Sequence, residues 1–137
     1  MVSITFQPTT EDIILFVGGG EVAERRMQLF IDEPCQIIVI APAVTDTIGQ
    51  WAKENRITWW DRAFTSDDEQ FIITSSLFFI CTDNHKLNDS LHALGKKHHV
   101  WTNRSDDPGA CRFTIPSSLE LGDLHIAISA NNVGPRI

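Results

Sequence analysis

Residues 17–23 read VGGGEVA, directly after the apolar run DIILF. Gly18, Gly20 and Ala23 satisfy the G-x-G-x-x-A spacing of a loop that leaves a strand and opens a helix. In such a loop Gly18 makes the tight turn. Gly20 lets the main chain approach a pyrophosphate, and Ala23 lets the helix lie close to the sheet. Amides bared along Gly18, Gly19, Gly20, Glu21 and Val22, at the positive end of the helix dipole, would hold the phosphates of a dinucleotide. The same spelling also suits a close-packed strand–helix turn that holds no ligand.

Two further polar clusters follow apolar runs. Thr82-Asp83-Asn84 comes after LFFIC, and Asn103-Arg104-Ser105-Asp106-Asp107-Pro108 comes after HVWTN. Asp106 is the candidate for acid–base work. Asp106-Asp107-Pro108-Gly109 is equally an ordinary turn composition, and Asp83 or Asn84 equally a helix cap. The acidic residue expected about 20 positions after the glycines, which would bind the adenine ribose, is missing. The second apolar run ends instead in Ile40-Ala41-Pro42, and Asp46 would have to reach back from the next helix. No arginine stands there for a 2′-phosphate. The spacing therefore does not separate NAD from NADP. His85, His92, His98, His99 and His125 show no HxxxH spacing, and we expect no metal site.

These residues need a scaffold that gathers them. Asp12–Val17, Gln36–Ala41, Ile57–Trp60, Leu77–Cys81 and His99–Asn103 read as strands, most of them continuously apolar. Between them, Ala23/Met27/Phe30/Ile31, Val44/Ile48/Trp51/Ala52 and Leu87/Leu91/Leu94 repeat at helical spacing, and Thr65–Phe71 reads as a short helix capped by Thr65 or Ser66. Alternation of this kind predicts an α/β fold: a Rossmann-like open parallel sheet with helices on both faces, in strand order 3-2-1-4-5. The carboxyl ends of strands 1, 4 and 5 then meet where the winding reverses. Arg112–Pro116 and His125–Ser129 read as strands of a hairpin-like extension of that sheet, with a turn at Leu121-Gly122-Asp123. The expected division is residues 1–111 as the NAD-binding domain and 112–137 as the extension.

Length and charge narrow the function. A chain of 137 residues makes one domain of ordinary composition. Its net charge of −7, with no basic cluster longer than Lys96-Lys97, excludes a nonspecific nucleic-acid binder. No apolar run approaches the roughly 20 residues that span a bilayer, so we expect no membrane partner. Cys35, Cys81 and Cys111 are odd in number and widely spaced, as in a reducing cytoplasm.

Longer matches extend this reading. FVGGGEVAERR (16–26), IVIAP (38–42), Thr82-Asp83-Asn84-His85-Lys86-Leu87-Asn88, then Asn103, Asp106 and Pro108 followed by RFTIP (112–116), and finally Leu124–Ser129 with Pro135 stand in one order. In these features the chain resembles the N-terminal domain of siroheme synthase, the precorrin-2 dehydrogenase family. The resemblance implies NAD-dependent oxidation of precorrin-2 to sirohydrochlorin, on the route to siroheme or, in some organisms, cobalamin. By the same resemblance Asp106 matches the catalytic aspartate and Ser129 a serine lining the tetrapyrrole site. Thr82, Asp83 and Asn103 join the glycine loop in binding cofactor. Arg104, with Arg112 and Arg136, would offset the substrate's carboxylates. Some relatives also insert iron or cobalt at this site. The family continues into a helical dimerisation region, which we expect to be absent or truncated here, and Ala130-Asn131-Asn132 stand where the family has glycine-rich residues. A homodimer weakened by that absence is expected. The rival readings are a noncatalytic NAD-binding or scaffold module and a metal chelatase only.

Overall fold

The computed structural model describes residues 1–130; the stretch 131–137, with Asn131, Asn132, Pro135 and Arg136, lies outside the described residues. Five parallel strands form one sheet: β1 (Ile13–Val17), β2 (Gln36–Ala41), β3 (Thr58–Asp61), β4 (Leu77–Ile80) and β5 (Trp101–Arg104). Their order is β3-β2-β1-β4-β5, as expected. The helices are α1 (Glu21–Met27), α2 (Asp46–Lys53), α3 (Glu69–Thr74) and α4 (His85–Lys97). No helix of the described residues is long and apolar enough to cross a membrane.

The continuous apolar runs are explained by burial on both faces of the sheet. Side chains alternate along each strand. Ile14, Phe16, Val39 and Phe79 point to one face, with Ala23 and Met27 of α1 and Ile48 and Trp51 of α2. Leu15, Val17, Ile40, Phe78 and Ile80 point to the other, with Ile72 of α3 and Leu91 of α4. Phe16 and Phe79, on adjacent strands, stack with centroids 4.8 Å apart. Register pins the arrangement: Val17 stands beside Ile40 on one side and Ile80 on the other, so the loops after β1, β2 and β4 leave the sheet at one level.

Two expectations are corrected. Arg112–Pro116 is not a strand. The Asn103 side chain donates to the Phe113 carbonyl at 3.0 Å, and Phe113 and Ile115 pack against the core, so this segment closes the sheet's end as a strap. The hairpin is formed one step later, by β6 (Ser117–Leu121) and β7 (Leu124–Ile128). It is a separate antiparallel pair and does not extend the five-stranded sheet. A two-residue turn joins the strands, with Gly122 at φ +61° in the first position, where a side chain would be strained.

Candidate functional site

The glycine loop is assembled by backbone bonds from three strands' ends. Gly18 N–H donates to the Ile40 carbonyl at 3.0 Å, Cys81 N–H to the Val17 carbonyl at 2.8 Å, and Thr45 N–H to the Gly19 carbonyl at 2.9 Å. Gly18 has φ +107°, and a Cβ there would stand 2.5 Å from the Cys81 carbonyl oxygen. A Cβ on Gly19 would meet Val44 at 2.5 Å. These two glycines are required by the protein's own packing. Gly20 is different: a Cβ there meets nothing within 4 Å. Its space opens outward. Among the described residues, the N–H groups of Gly19, Gly20, Glu21 and Val22 donate to no acceptor, and Gly20 as N-cap has no side-chain partner. Open space beside unpaired amides is what a diphosphate requires.

From this loop a groove of about 550 Å³ runs between α1 and α2. Glu21, Val22, Arg25, Thr45 and Asp46 are among its lining. Thr45 Oγ1 donates to Glu24 at 2.6 Å and accepts from Ile48 N–H, which fixes the rim. Asp46, in the first turn of α2, thus lies where the spacing rule found no acid after β2.

The second cluster forms around Asp106, just beyond β5. Arg104 Nε and Nη2 donate to its two oxygens at 2.8 and 3.0 Å, and Asn88 Nδ2 donates at 3.1 Å. His85 Nδ1 lies 2.7 Å from Asp106 Oδ2. The Arg104 guanidinium, followed by Asn88 and His85, holds the Asp106 carboxyl well below the usual carboxylate range. Asp106 in turn raises Arg104 above its ordinary value. Arg104 Nη1 is also taken, by Asp89 at 2.9 Å. The arginine is buried and all three of its donor nitrogens are engaged.

The remaining candidates divide. Thr82 bonds through its hydroxyl to Asn88, and Asn88 Nδ2 also donates to the Thr82 carbonyl at 2.9 Å, so Thr82 orients the Asp106 cluster from the end of β4. Asn84, not Asp83, caps α4, accepting from Leu87 N–H at 3.1 Å. Asp83 is left exposed beside it. Asn103 is buried with its amide engaged by Phe113 and, at 3.4 Å, by Arg26. Ser129 stands at the end of β7; the partner of its hydroxyl is Met1 Sδ at 4.0 Å, and no hydrogen bond links it to Asp106 or the glycine loop. Burial pushes the Cys81 thiol up to about 12, so at neutral pH it is a protonated packing group.

His85, Asn88 and Asp89 belong to the cluster and were not singled out as site residues from the sequence. The stretch from Thr82 to Asn88 carried the signal, since it follows a buried strand at the edge where polar ends converge.

Comparison with known proteins gives the family. A family model described as "Putative NAD(P)-binding" matches residues 6–117. The chain belongs to this NAD(P)-binding family. The NAD(P)-binding domain is similar to a siroheme synthase of Pseudoalteromonas atlantica, 33% identical over 130 residues, covering 95% of this chain and 28% of that protein. A siroheme synthase of Escherichia coli O157:H7 is 31% identical over 121 residues, covering 88% of this chain and 26% of that protein. The chain thus spans little more than a quarter of the curated relatives it matches. Among solved structures, "SirC, precorrin-2 dehydrogenase" superimposes with a TM-score of 0.85 at 24% identity, over 98% of this chain and 64% of that one. That likeness confirms the fold.

Proposed function

We propose that this chain is the dinucleotide-binding part of a precorrin-2 dehydrogenase, which oxidises precorrin-2 to sirohydrochlorin with NAD. The observation that carries the reading is the pairing of an open glycine cradle with an ionised, anchored carboxylate at the same sheet edge. NAD supplies the hydride acceptor when bound. The domain's own residues do the rest. Gly18 and Gly19 shape the loop, and the amides through Val22 hold the diphosphate. Thr45 and Asp46 border the adenosine side, where Glu21, Glu24 and Asp46 disfavour an extra 2′-phosphate. Thr82 and Asp83 border the nicotinamide side, and Asn103 braces α1 against β5 through Arg26.

Asp106 is the centre of the acid–base assembly in this reading. Arg104 serves the substrate through Asp106, since its own donors are occupied. Ser129 contacts the tetrapyrrole from the hairpin. The division at residues 111 and 112 belongs to the same reading: the sheet unit closes at Cys111, and the following segment carries the strap and hairpin.

A homodimer fits the hairpin. Pairing sets Leu119 opposite Ile126, Leu121 opposite Leu124, and Ile128 opposite Ser117. The five apolar side chains share one face and are 39–57% exposed. A second copy of the chain covers it. Three free thiols suit a cytoplasmic setting.

Anaerobic mixing of protein, NAD and precorrin-2 tests the assignment. NADH and sirohydrochlorin formed in equal amounts support it. NAD binding without turnover, from the chain in its native length, overturns it in favour of a noncatalytic module.

A further inference from the structure

Oxidation of the macrocycle releases a proton as well as a hydride, and Asp106 is poorly suited to take it. Two hydrogen bonds from Arg104 and one from Asn88 occupy its oxygens, and its side chain is 12% exposed. A carboxylate so neutralised is a weak base.

Its third partner is placed differently. His85 opens α4, directly after the cap Asn84, and its side chain is 78% exposed. An ionised carboxylate only accepts, so the hydrogen of the His85–Asp106 contact lies on Nδ1. In the neutral ring the lone pair is then on Nε2, which has no partner among the described residues. Position adds a second argument. His98 makes a similar 2.6 Å contact with Glu69, but it follows the last turn of α4, before β5 begins, at the opposite edge of the sheet. His85 stands at the edge where the loops after β1, β4 and β5 meet.

We propose that His85, oriented by Asp106, is the residue that accepts the proton during the dehydrogenation. This rests on the dehydrogenase reading above. A C–H bond of the reduced macrocycle breaks with its electron pair passing as hydride to the NAD nicotinamide. A second hydrogen leaves as a proton to His85 Nε2, its bonding pair closes the new double bond, and the imidazolium then gives the proton to water. Asp106 stays ionised throughout and stabilises the imidazolium. The charges around the ring are Asp106 and Arg104 from the end of β5, Asp89 and His92 of α4 through Arg104, and Lys86 and Asp83 beside it in the chain.

Two measurements on the full chain test this. Nitrogen-labelled histidine NMR at alkaline pH reads the ring itself, and neutral His85 is expected with its hydrogen on Nδ1. A neutral ring carrying hydrogen on Nε2 overturns the proposal, whatever the turnover. Anaerobic NADH formation at fixed pH reads the chemistry. His85→Ala is expected to lower kcat by at least about 100-fold, with NAD affinity and KM held. Added imidazole is expected to restore part of the rate. Equal kcat in wild type and His85→Ala overturns the proton role alone. An absence of NADH from wild type overturns the dehydrogenase reading and the proton role with it.

Discussion

Asn88, fully buried in α4, donates from one nitrogen to both the Asp106 carboxylate and the Thr82 carbonyl, at 3.1 and 2.9 Å. One side chain thereby sets the spacing between the loops that follow β4 and β5. Asn88→Leu leaves the Thr82 carbonyl and one carboxylate oxygen short of a donor. We expect a loss of about 1–3 kcal/mol, read by denaturant unfolding. NADH formation is expected to fall further than the loss of folded protein accounts for.

The three glycines are expected to separate by experiment. Gly18→Ala forces a side chain at φ +107° into the Cys81 carbonyl, and stability is expected to fall by more than about 2 kcal/mol. Gly20→Ala meets no atom and leaves stability within about 0.5 kcal/mol. Its methyl group instead occupies the cradle, so NAD affinity measured by calorimetry is expected to drop at least tenfold.

Acid sensitivity has a defined sign. Arg62 donates to the two oxygens of buried Asp68 at 2.5 and 2.6 Å and holds its carboxyl below the usual range. Asp106 is lowered likewise by Arg104. A carboxylate lowered in the folded state stabilises fully above its unfolded value of about 3.9, and that stability is lost as pH falls through the lowered folded value. Asp68→Asn is therefore expected to cost about 2 kcal/mol at neutral pH, a moderate figure because Arg62 keeps contact with water. The gap between variant and wild type should close below about pH 4. Urea unfolding across the acid range checks both statements.

The hairpin face makes the proposed dimer testable. Ile126→Glu places a charge among Leu119, Leu121, Leu124 and Ile128 without touching the five-stranded sheet. Sedimentation is expected to show the variant's dimer weakened by at least about tenfold, with the melting of the parallel sheet unchanged.

Much of the scaffold was legible because burial writes itself into residue type. QIIVIA is observed as the strand its apolar run foretold, since both of its faces are covered. Of the two expected caps it is Thr65 that serves, on the 3-10 turn Ser66–Asp68 that leads into α3, with Asp68 completing a capping box. The fifth strand begins two residues later than expected. His99 sits at φ +57° and Val100 N–H returns to the Gly95 carbonyl, so these residues finish α4. β6 was missed although Leu119 and Leu121 alternate at strand spacing; the adjoining RFTIP looked more strand-like, and only its packing as a strap excludes it. The site was legible as polar strand ends. Its wiring was not, because His85 and Asp106 stand 21 residues apart and meet only once β4 pairs with β5.

The strand order carries a consequence for how the chain is made. β1 lies at the middle of the sheet, yet its two neighbours come from positions 36–41 and 77–80. During synthesis one flank of this apolar strand therefore waits, uncovered, until some sixty further residues have left the ribosome. A nascent chain halted before Leu77 would expose that edge and be a natural client for chaperones.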